Sequence, residues 1–237
     1  EPFTITTGVR QGCLLSPFLF LIVIDWIMRE TTKDKKRGIQ WSMMEQLEDI
    51  DYADDIALIS QRHSDMNEKL ERLETEARKT GMKINVKKTK GMRINHACNT
   101  AFTIGDETIE EVNNFAYLGS VVSPEGGSDQ DVKIRIGKAT AAFNILRPVW
   151  RTTKISLKTK LRIFSSNVKT VLLYGCETWT LYRKQLNQLD QFHLRCLRKV
   201  MNISWEDRVP NTDVLRRANM PGIEALIMKA QLRWAGH

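Results

Sequence analysis

A chain of 237 residues, 42% hydrophobic and 27% charged, is long enough for one large or two ordinary folded domains and excludes a purely disordered tail. Its longest apolar stretch, Phe18 to Met28, carries Asp25 and falls short of the ~20 residues a bilayer span needs, while Cys13, Cys98, Cys176 and Cys196 are spread far apart with no CxxC pair and no secretory leader, which argues against a disulfide scaffold and a zinc knuckle and makes a reducing compartment the default expectation. The net charge of +8 divides unevenly: residues 1–128 hold 16 basic against 20 acidic side chains and residues 129–237 hold 20 against 8, so a carboxylate-rich half is followed by a half at +12 suited to a polyanion such as nucleic acid, unless its helices are simply solvated.

In chain order, Glu1-Pro2 leads into a strand-like Phe3 to Thr6, and the far end stops at Leu232 to His237 with its apolar spacing still running; both ends read as internal to a longer polypeptide. Ser16-Pro17 signals a helix start, since serine caps free N–H groups and proline at the first helical position gives up only an orphan donor. The apolar residues from Phe18 to Ile27 cover nearly every side of that helix, which predicts packing on several faces and an end near Glu30. Residues 31–48, with Lys33, Lys35, Lys36 and Arg37, read as an exposed polar connector. Ile50 to Ala53 and Ile56 to Ile59 are β-prone runs around Asp54-Asp55, which places the acidic pair at the turn of a tight hairpin. A helix follows from a Ser64 cap through Met66, Leu70, Leu73 and Ala77 to Gly81, then strands over 83–86, 91–95, 101–104 and 115–121. Beyond the loop 123–127 the pattern turns helical, with stripes at Val132 to Trp150, Leu157 to Val168 and Leu186 to Val200, and a last helix starting at Pro221. A mixed half followed by a helical half predicts two domains with a boundary near residues 123–130.

Asp49, Asp51, Asp54 and Asp55 put four carboxylates into seven residues beside apolar strand positions. Charge so placed calls for salt bridges, protonation or a divalent cation. Neighbouring strand residues face opposite ways, so Asp54 and Asp55 address one ion only if a turn rotates them. Hard oxygen donors select Mg²⁺ or Mn²⁺, and two such ions activate a hydroxyl and stabilise a leaving oxygen in phosphoryl transfer. The plain alternative is an acidic β-turn. His63, His96, His193 and His237 share no ligand spacing, Asp25 reads as a paired structural carboxylate, and the tryptophans, Trp150, Trp179 and Trp205 among them, read as core.

Tyr52-Ala53-Asp54-Asp55 resembles the YADD box of reverse transcriptases, and Gly8 to Pro17, with Gln11-Gly12 and Ser16-Pro17, resembles the loop and helix that precede it in that family. Gly81 to Lys90 is similar to the family's glycine-to-lysine motif and Phe115 to Ser120, with Tyr117-Leu118-Gly119, to its primer-grip hairpin. The order of the four boxes agrees, and the YLG form together with Tyr174-Gly175-Cys176-Glu177-Thr178-Trp179 looks most like the non-LTR (LINE-type) retrotransposon enzymes rather than the group II intron type.

The resemblance implies an α+β fold: a right-hand polymerase palm, an antiparallel sheet flanked by helices, over 1–125, then an all-helical thumb over 126–237. It implies RNA-directed DNA polymerisation, with two Mg²⁺ or Mn²⁺ ions, an RNA template, a DNA primer and dNTP. Asp54 would be the catalytic metal-binding aspartate and Asp55 a neighbouring acidic residue of lesser role. Gln11, Gly12 and Tyr52 would position nucleotide and template, and Lys88 would meet the pyrophosphate, with Lys87 and Lys90 as alternatives. Tyr117, Leu118 and Gly119 would hold the primer end. Lys133, Lys138, Lys158 and Arg162 would follow the nucleic-acid backbone from the thumb. The family's first catalytic aspartate precedes the glutamine loop and is not in this sequence, so the piece alone is expected to be inactive. An endonuclease domain is expected elsewhere in the longer chain, and the nucleus as the site of action. The second reading is a non-catalytic, basic nucleic-acid-binding remnant of a decayed or domesticated element.

Overall fold

The computed structural model describes residues 12–33, 36–95, 100–124 and 126–236. The chain is mixed α and β and divides into two compact units, one ending at Leu118 and the other beginning at Gly119.

In the first unit, helix α1 (Ser16–Thr32) starts at the Ser-Pro pair, but Ser16 is not its cap: it lies inside the helix, Leu15 holds the cap position, and no side chain caps the N-terminus. Its Ile24, Ile27 and Met28 pack against Leu73 and Ala77 of α2 (His63–Lys79), each fully buried aliphatic side chain contributing about 1.5–3 kcal/mol. Only this stripe is covered: Phe18, Leu19, Leu21, Ile22 and Trp26 remain exposed, so packing on several faces does not occur within the described residues. The connector is more ordered than its polarity predicts. It carries the antiparallel pair β1 (Ile39–Gln40) and β2 (Gln46–Leu47). Arg37, expected in an exposed loop, is buried; its guanidinium meets Glu68, and its N–H donates to Glu48 Oε1 at 2.8 Å.

Strands β3 (Asp49–Tyr52) and β4 (Asp55–Leu58) form an antiparallel hairpin in the register Asp49↔Leu58 to Tyr52↔Asp55. Lys69 of α2, 1% exposed, fastens this hairpin from below. Its ammonium donates to the carbonyls of Glu48 (3.0 Å) and Ile59 (2.7 Å) and sits 2.5 Å from the Glu48 carboxylate, so the buried cation is met by two acceptors and a counter-charge. Helix α2 lacks the serine cap: Arg62 holds the cap position with no side-chain bond, and Gly81, at φ 77°, turns the chain away after it. The strand expected over 83–86 is irregular backbone. The next four strands are two residues long: β5 (Lys90–Gly91) runs parallel to β8 (Glu110–Glu111), and β6 (Thr103–Ile104) pairs antiparallel with β7 (Glu107–Thr108). The strand expected over 115–121 is cut by Leu118 (φ 50°) and Gly119 (φ 84°) into β9 (Phe115–Tyr117), which closes the first unit, and β10 (Ser120–Val122), which opens the second.

The second unit is helical: α3 (Asp129–Ile145), α4 (Arg147–Arg151), α5 (Leu157–Phe164), a π-helical turn over Ser165–Lys169, α6 (Thr170–Leu172), a 3₁₀ turn at Cys176–Thr178, α7 (Arg183–Met201), α8 (Asn211–Ala218) and α9 (Ile223–Ala235). Pro148 sits at the start of α4, where the α3 stripe would otherwise run on to Trp150. The core joins Val132, Ala139 and Phe143 to Phe164, Val168, Leu172, Leu189, Phe192 and Leu197. Trp150 belongs to it, its ring 5.2 Å from that of Phe143 and its indole N–H donating to the Phe143 carbonyl at 2.9 Å. Trp205, expected as core, is 84% exposed, while Ile203 and Val209 of the same segment are the residues that pack against the core. Among the described residues no helix is long and apolar enough to cross a membrane.

Candidate functional site

The hairpin register sorts the four clustered carboxylates. Opposed residues share a face, so Asp49 and Asp51 lie on the side of Leu58 and Ile56, while Asp55 shares the other side with Tyr52. Ile56 and Leu58 pack into the core beneath the sheet, which sets Asp49 and Asp51 at the margin of an apolar region. Desolvation there, then the neighbouring Asp49 charge and hydrogen bond, then Asp25, push the Asp51 carboxyl up to about 6. Desolvation likewise raises Asp49, against the hydrogen bond from Asp51 and the Lys69 charge. These two acids hold a proton more readily than ordinary aspartates. Asp25 is ion-paired, as expected, to Arg29 at 3.0 Å, though on the exposed side of α1.

The turn itself is two residues, Ala53 and Asp54. Asp55 is thus not in the turn, as the sequence had suggested, but opens β4 opposite Tyr52. Ala53 takes φ 56°, a left-handed backbone that costs a non-glycine residue about 1–2 kcal/mol, and this bend is what frees Asp54 from the strand alternation. Asp54, Asp55 and Tyr52 are exposed, and no Lys or Arg among the described residues pairs with either carboxylate. Two all-oxygen donors without a cationic partner suit a hard divalent ion in kind. They do not amount to a full shell: among the described residues no group of three or more His, Cys, Asp or Glu side chains is placed to hold a metal.

Tyr117 joins this hairpin. Its hydroxyl lies 2.9 Å from the Ile50 carbonyl and 3.2 Å from that of Asp55, and burial, then Asp51 and Asp55, raise its phenol above the ordinary range. Gly12 is exposed with φ 85°, a conformation that favours glycine, and Gln11 lies outside the described residues. Lys88 stands on an exposed turn whose N–H donates to the Asn85 carbonyl at 3.0 Å, and it makes no hydrogen bond to the hairpin. Of its neighbours, Lys90 is committed to Glu110, while Lys87 is exposed.

In the helical unit, Lys133, Lys138, Lys158 and Arg162 are all exposed. Two basic side chains of the same stretch have structural duties instead: Lys160 donates to the Trp150 carbonyl at 2.9 Å, and burial lowers Lys169. The structure adds cations that the sequence reading passed over. A surface groove between α3 and α7, about 290 Å³ in one part and 260 Å³ in the next, has Phe192 and Arg195 in both, with Lys133 at one end and Lys199 at the other. Gln188 and Gln191 line it as well, and no carboxylate does. Arg195 and Lys199, four residues apart on α7, were legible as one helix face had that stripe been read for charge as well as for apolar spacing.

The sequence profile of the family described as "Reverse transcriptase (RNA-dependent DNA polymerase)" matches residues 1–122, and that of a domain of unknown function matches residues 142–174. The chain is 26% identical over 201 residues to an uncharacterised transposon-derived protein of Caenorhabditis elegans, a match covering 81% of this chain and 71% of that protein. It is 27% identical over 212 residues to the retrovirus-related Pol polyprotein from type-1 retrotransposable element R2 of Popillia japonica, covering 84% of this chain and 33% of the polyprotein.

Proposed function

Because the chain belongs to the reverse transcriptase (RNA-dependent DNA polymerase) family, in its non-LTR retrotransposon branch, we propose that it forms the later palm, residues 1–125, and the thumb, 126–237, of an enzyme that adds dNTPs to a DNA primer on an RNA template. The single observation that carries this reading is the two-residue turn that presents Asp54 beside Asp55 with no cationic partner among the described residues. Two Mg²⁺ or Mn²⁺ ions, when bound, would supply activation of the primer 3′-hydroxyl and stabilisation of the leaving pyrophosphate. Asp54 and Asp55 would hold them.

The chain's own part is to hold and orient. The β3–β4 ladder, fastened by Lys69, sets the hairpin, and the left-handed Ala53 turns Asp54 outward. Tyr117 ties the start of the Tyr117-Leu118-Gly119 turn, the candidate primer grip, to both hairpin strands. Gln11, Gly12 and Tyr52 are assigned to nucleotide and template, and Lys88 to the pyrophosphate. Lys133, Lys138, Lys158 and Arg162, joined by Arg195 and Lys199, are assigned to backbone phosphates, where contacts tolerate any sequence and weaken with salt. The activity is assigned to the whole polypeptide that carries this sequence, in which we place an endonuclease domain and a nuclear site of action.

Primer extension on an RNA template tests the reading. Asp54→Asn is expected to lower incorporation by about a hundredfold or more, in keeping with the several kcal/mol a metal-centred contribution represents, while duplex affinity stays unchanged. Retained extension overturns the metal assignment. Duplex binding with no extension by the unaltered enzyme favours the reading as a non-catalytic remnant.

A further inference from the structure

The Tyr174 to Trp179 segment has no part in the function proposed above, yet it closes around the backbone of Gly119 and Ser120. The contact begins with buried charge. Asp131 and Arg135 stand one turn apart on α3 and are 3% and 5% exposed. A buried ion pair adds little stability over apolar side chains of the same size, and in some proteins such a pair instead fixes one arrangement. The arrangement fixed here runs outward from Trp179. Its indole N–H donates to Asp131 Oδ2 at 2.7 Å, and Asp131 Oδ1 lies 3.8 Å from Arg135 Nε. The Arg135 guanidinium then sits over the Tyr174 ring, 4.4 Å from its centre, and donates to the carbonyl oxygen of Gly119.

The fit is close on both sides. Gly119 has φ 84°, and a Cβ there would come within 3.2 Å of both Arg135 Nη2 and Tyr174 Cε1. A Cβ on Gly175 would meet Ser120 Oγ at 3.1 Å. Both glycines hold left-handed angles that other residues rarely adopt, and a Cβ on either would push its neighbouring side chain aside by a few tenths of an ångström. A lysine at 135 would supply charge, but neither the planar fork nor the stacking surface that fix the direction of the bond.

We propose that Arg135, aimed by Asp131 and Trp179 and backed by Tyr174, is a positioning residue that fixes the Gly119-Ser120 backbone so that the turn presents one edge to the primer strand. This rests on the reading of Tyr117 to Gly119 as the primer-holding turn. A displaced primer end loses alignment with the incoming nucleotide, so the effect belongs in primer use rather than in dNTP binding.

The test uses the full-length enzyme and two variants. Arg135→Gln alone leaves Asp131 charged and unpaired and can fail to fold, so Asp131→Asn is combined with it to remove both charges. Trp179→Phe keeps the ion pair and removes only the N–H that aims it. Thermal melting checks folding, hydrogen exchange over residues 117–122 reads the turn, and steady-state extension separates KM for primer from KM for dNTP. The double variant is expected to exchange faster in that segment and to raise primer KM about tenfold, the scale of one charge-assisted hydrogen bond, with dNTP KM unchanged. Trp179→Phe is expected to move both readouts in the same direction by less, and carries the test if the double variant does not fold. Unchanged exchange together with unchanged primer KM overturns the role of Arg135. Faster exchange with unchanged primer KM overturns the primer-holding reading of the turn and leaves Arg135 as its structural seat.

Discussion

The hydroxyl of Tyr117 stands 2.9 Å from the carbonyl oxygen of Ile50, and the Asp55 carbonyl lies 3.2 Å away on the opposite strand. One phenol therefore spans both strands of the acidic hairpin. Burial first, and Asp51 and Asp55 after it, raise its pKa above the ordinary phenol value.

Replacing Tyr117 with Phe keeps the ring and removes the shared bond. The expected cost is about 0.5–1.5 kcal/mol, felt as faster amide exchange over residues 49–58 with no change in the helical unit. Hydrogen-exchange mass spectrometry reads both regions at once. Equal exchange with and without the hydroxyl would show that the hairpin does not depend on it.

Lys69 is the stronger anchor. Lys69→Met strands the Glu48 carboxylate and the Glu48 and Ile59 carbonyls, and is expected to cost about 3–5 kcal/mol in urea unfolding. Adding Glu48→Gln, which keeps an acceptor for the Arg37 N–H, should recover part of that loss. Burial pushes the Glu48 carboxyl up, but the Lys69 hydrogen bond and the Gly38 and Arg37 N–H groups prevail, so its pKa is lowered. A lowered carboxyl stabilises the fold above its unfolded pKa of 4.5, and that stability is lost as pH falls through the lower folded value.

His193, on α7, is 0% exposed with both ring nitrogens unpartnered. Burial first, then the Lys169 charge, push it down to about 4 from the ordinary 6.5. As pH falls between those values the unfolded chain takes up a proton that the native state refuses, so stability drops by about 3 kcal/mol across the window. His193→Leu should remove that slope while keeping the packing against Phe164. Urea midpoints at pH 7, 5.5 and 4 measure it, and parallel curves for the two proteins would contradict the assignment.

The α3–α7 groove predicts a salt effect. Arg195→Ala with Lys199→Ala should weaken binding of an RNA–DNA primer duplex and reduce the slope of log affinity against log salt by about 2, near one per lost phosphate contact. Lys160→Ala, which breaks the bond to the Trp150 carbonyl, should instead lower thermal stability and leave the slope alone. Filter binding from 50 to 200 mM salt, a range in which such contacts are strongly screened, separates the two behaviours.

Local signals carried much of the fold. Pro17, Gly81 and the stripes of α3, α5 and α7 mark their elements because a proline in the first turn, left-handed glycines and helical spacing act within a few residues, although the cap expected of Ser16 is not made. What depended on distant partners was hidden. Nothing next to Arg37 or Lys69 announces that each is buried, since the acids and carbonyls that receive them come from other elements. The turn at Ala53-Asp54 was legible to within one residue, but the assignment of Asp51 to the core-side face follows from register, which periodicity does not give. The α3–α7 groove belongs to the same class.

The π-helical turn at Ser165–Lys169 has a consequence for the far end of its helix. A wide turn accommodates one residue more than α-geometry allows, and each residue swings the azimuth of an α-helix by about 100°. Deleting one residue there would close the turn to a regular spiral and leave Tyr174 and Trp179 near the bearing at which they now meet Arg135 and Asp131, whereas deleting one from the regular turns of α5 would swing them by that angle. Chain length is thus under looser control at that turn than in α5, and a one-residue deletion should be tolerated better there than in the regular helix.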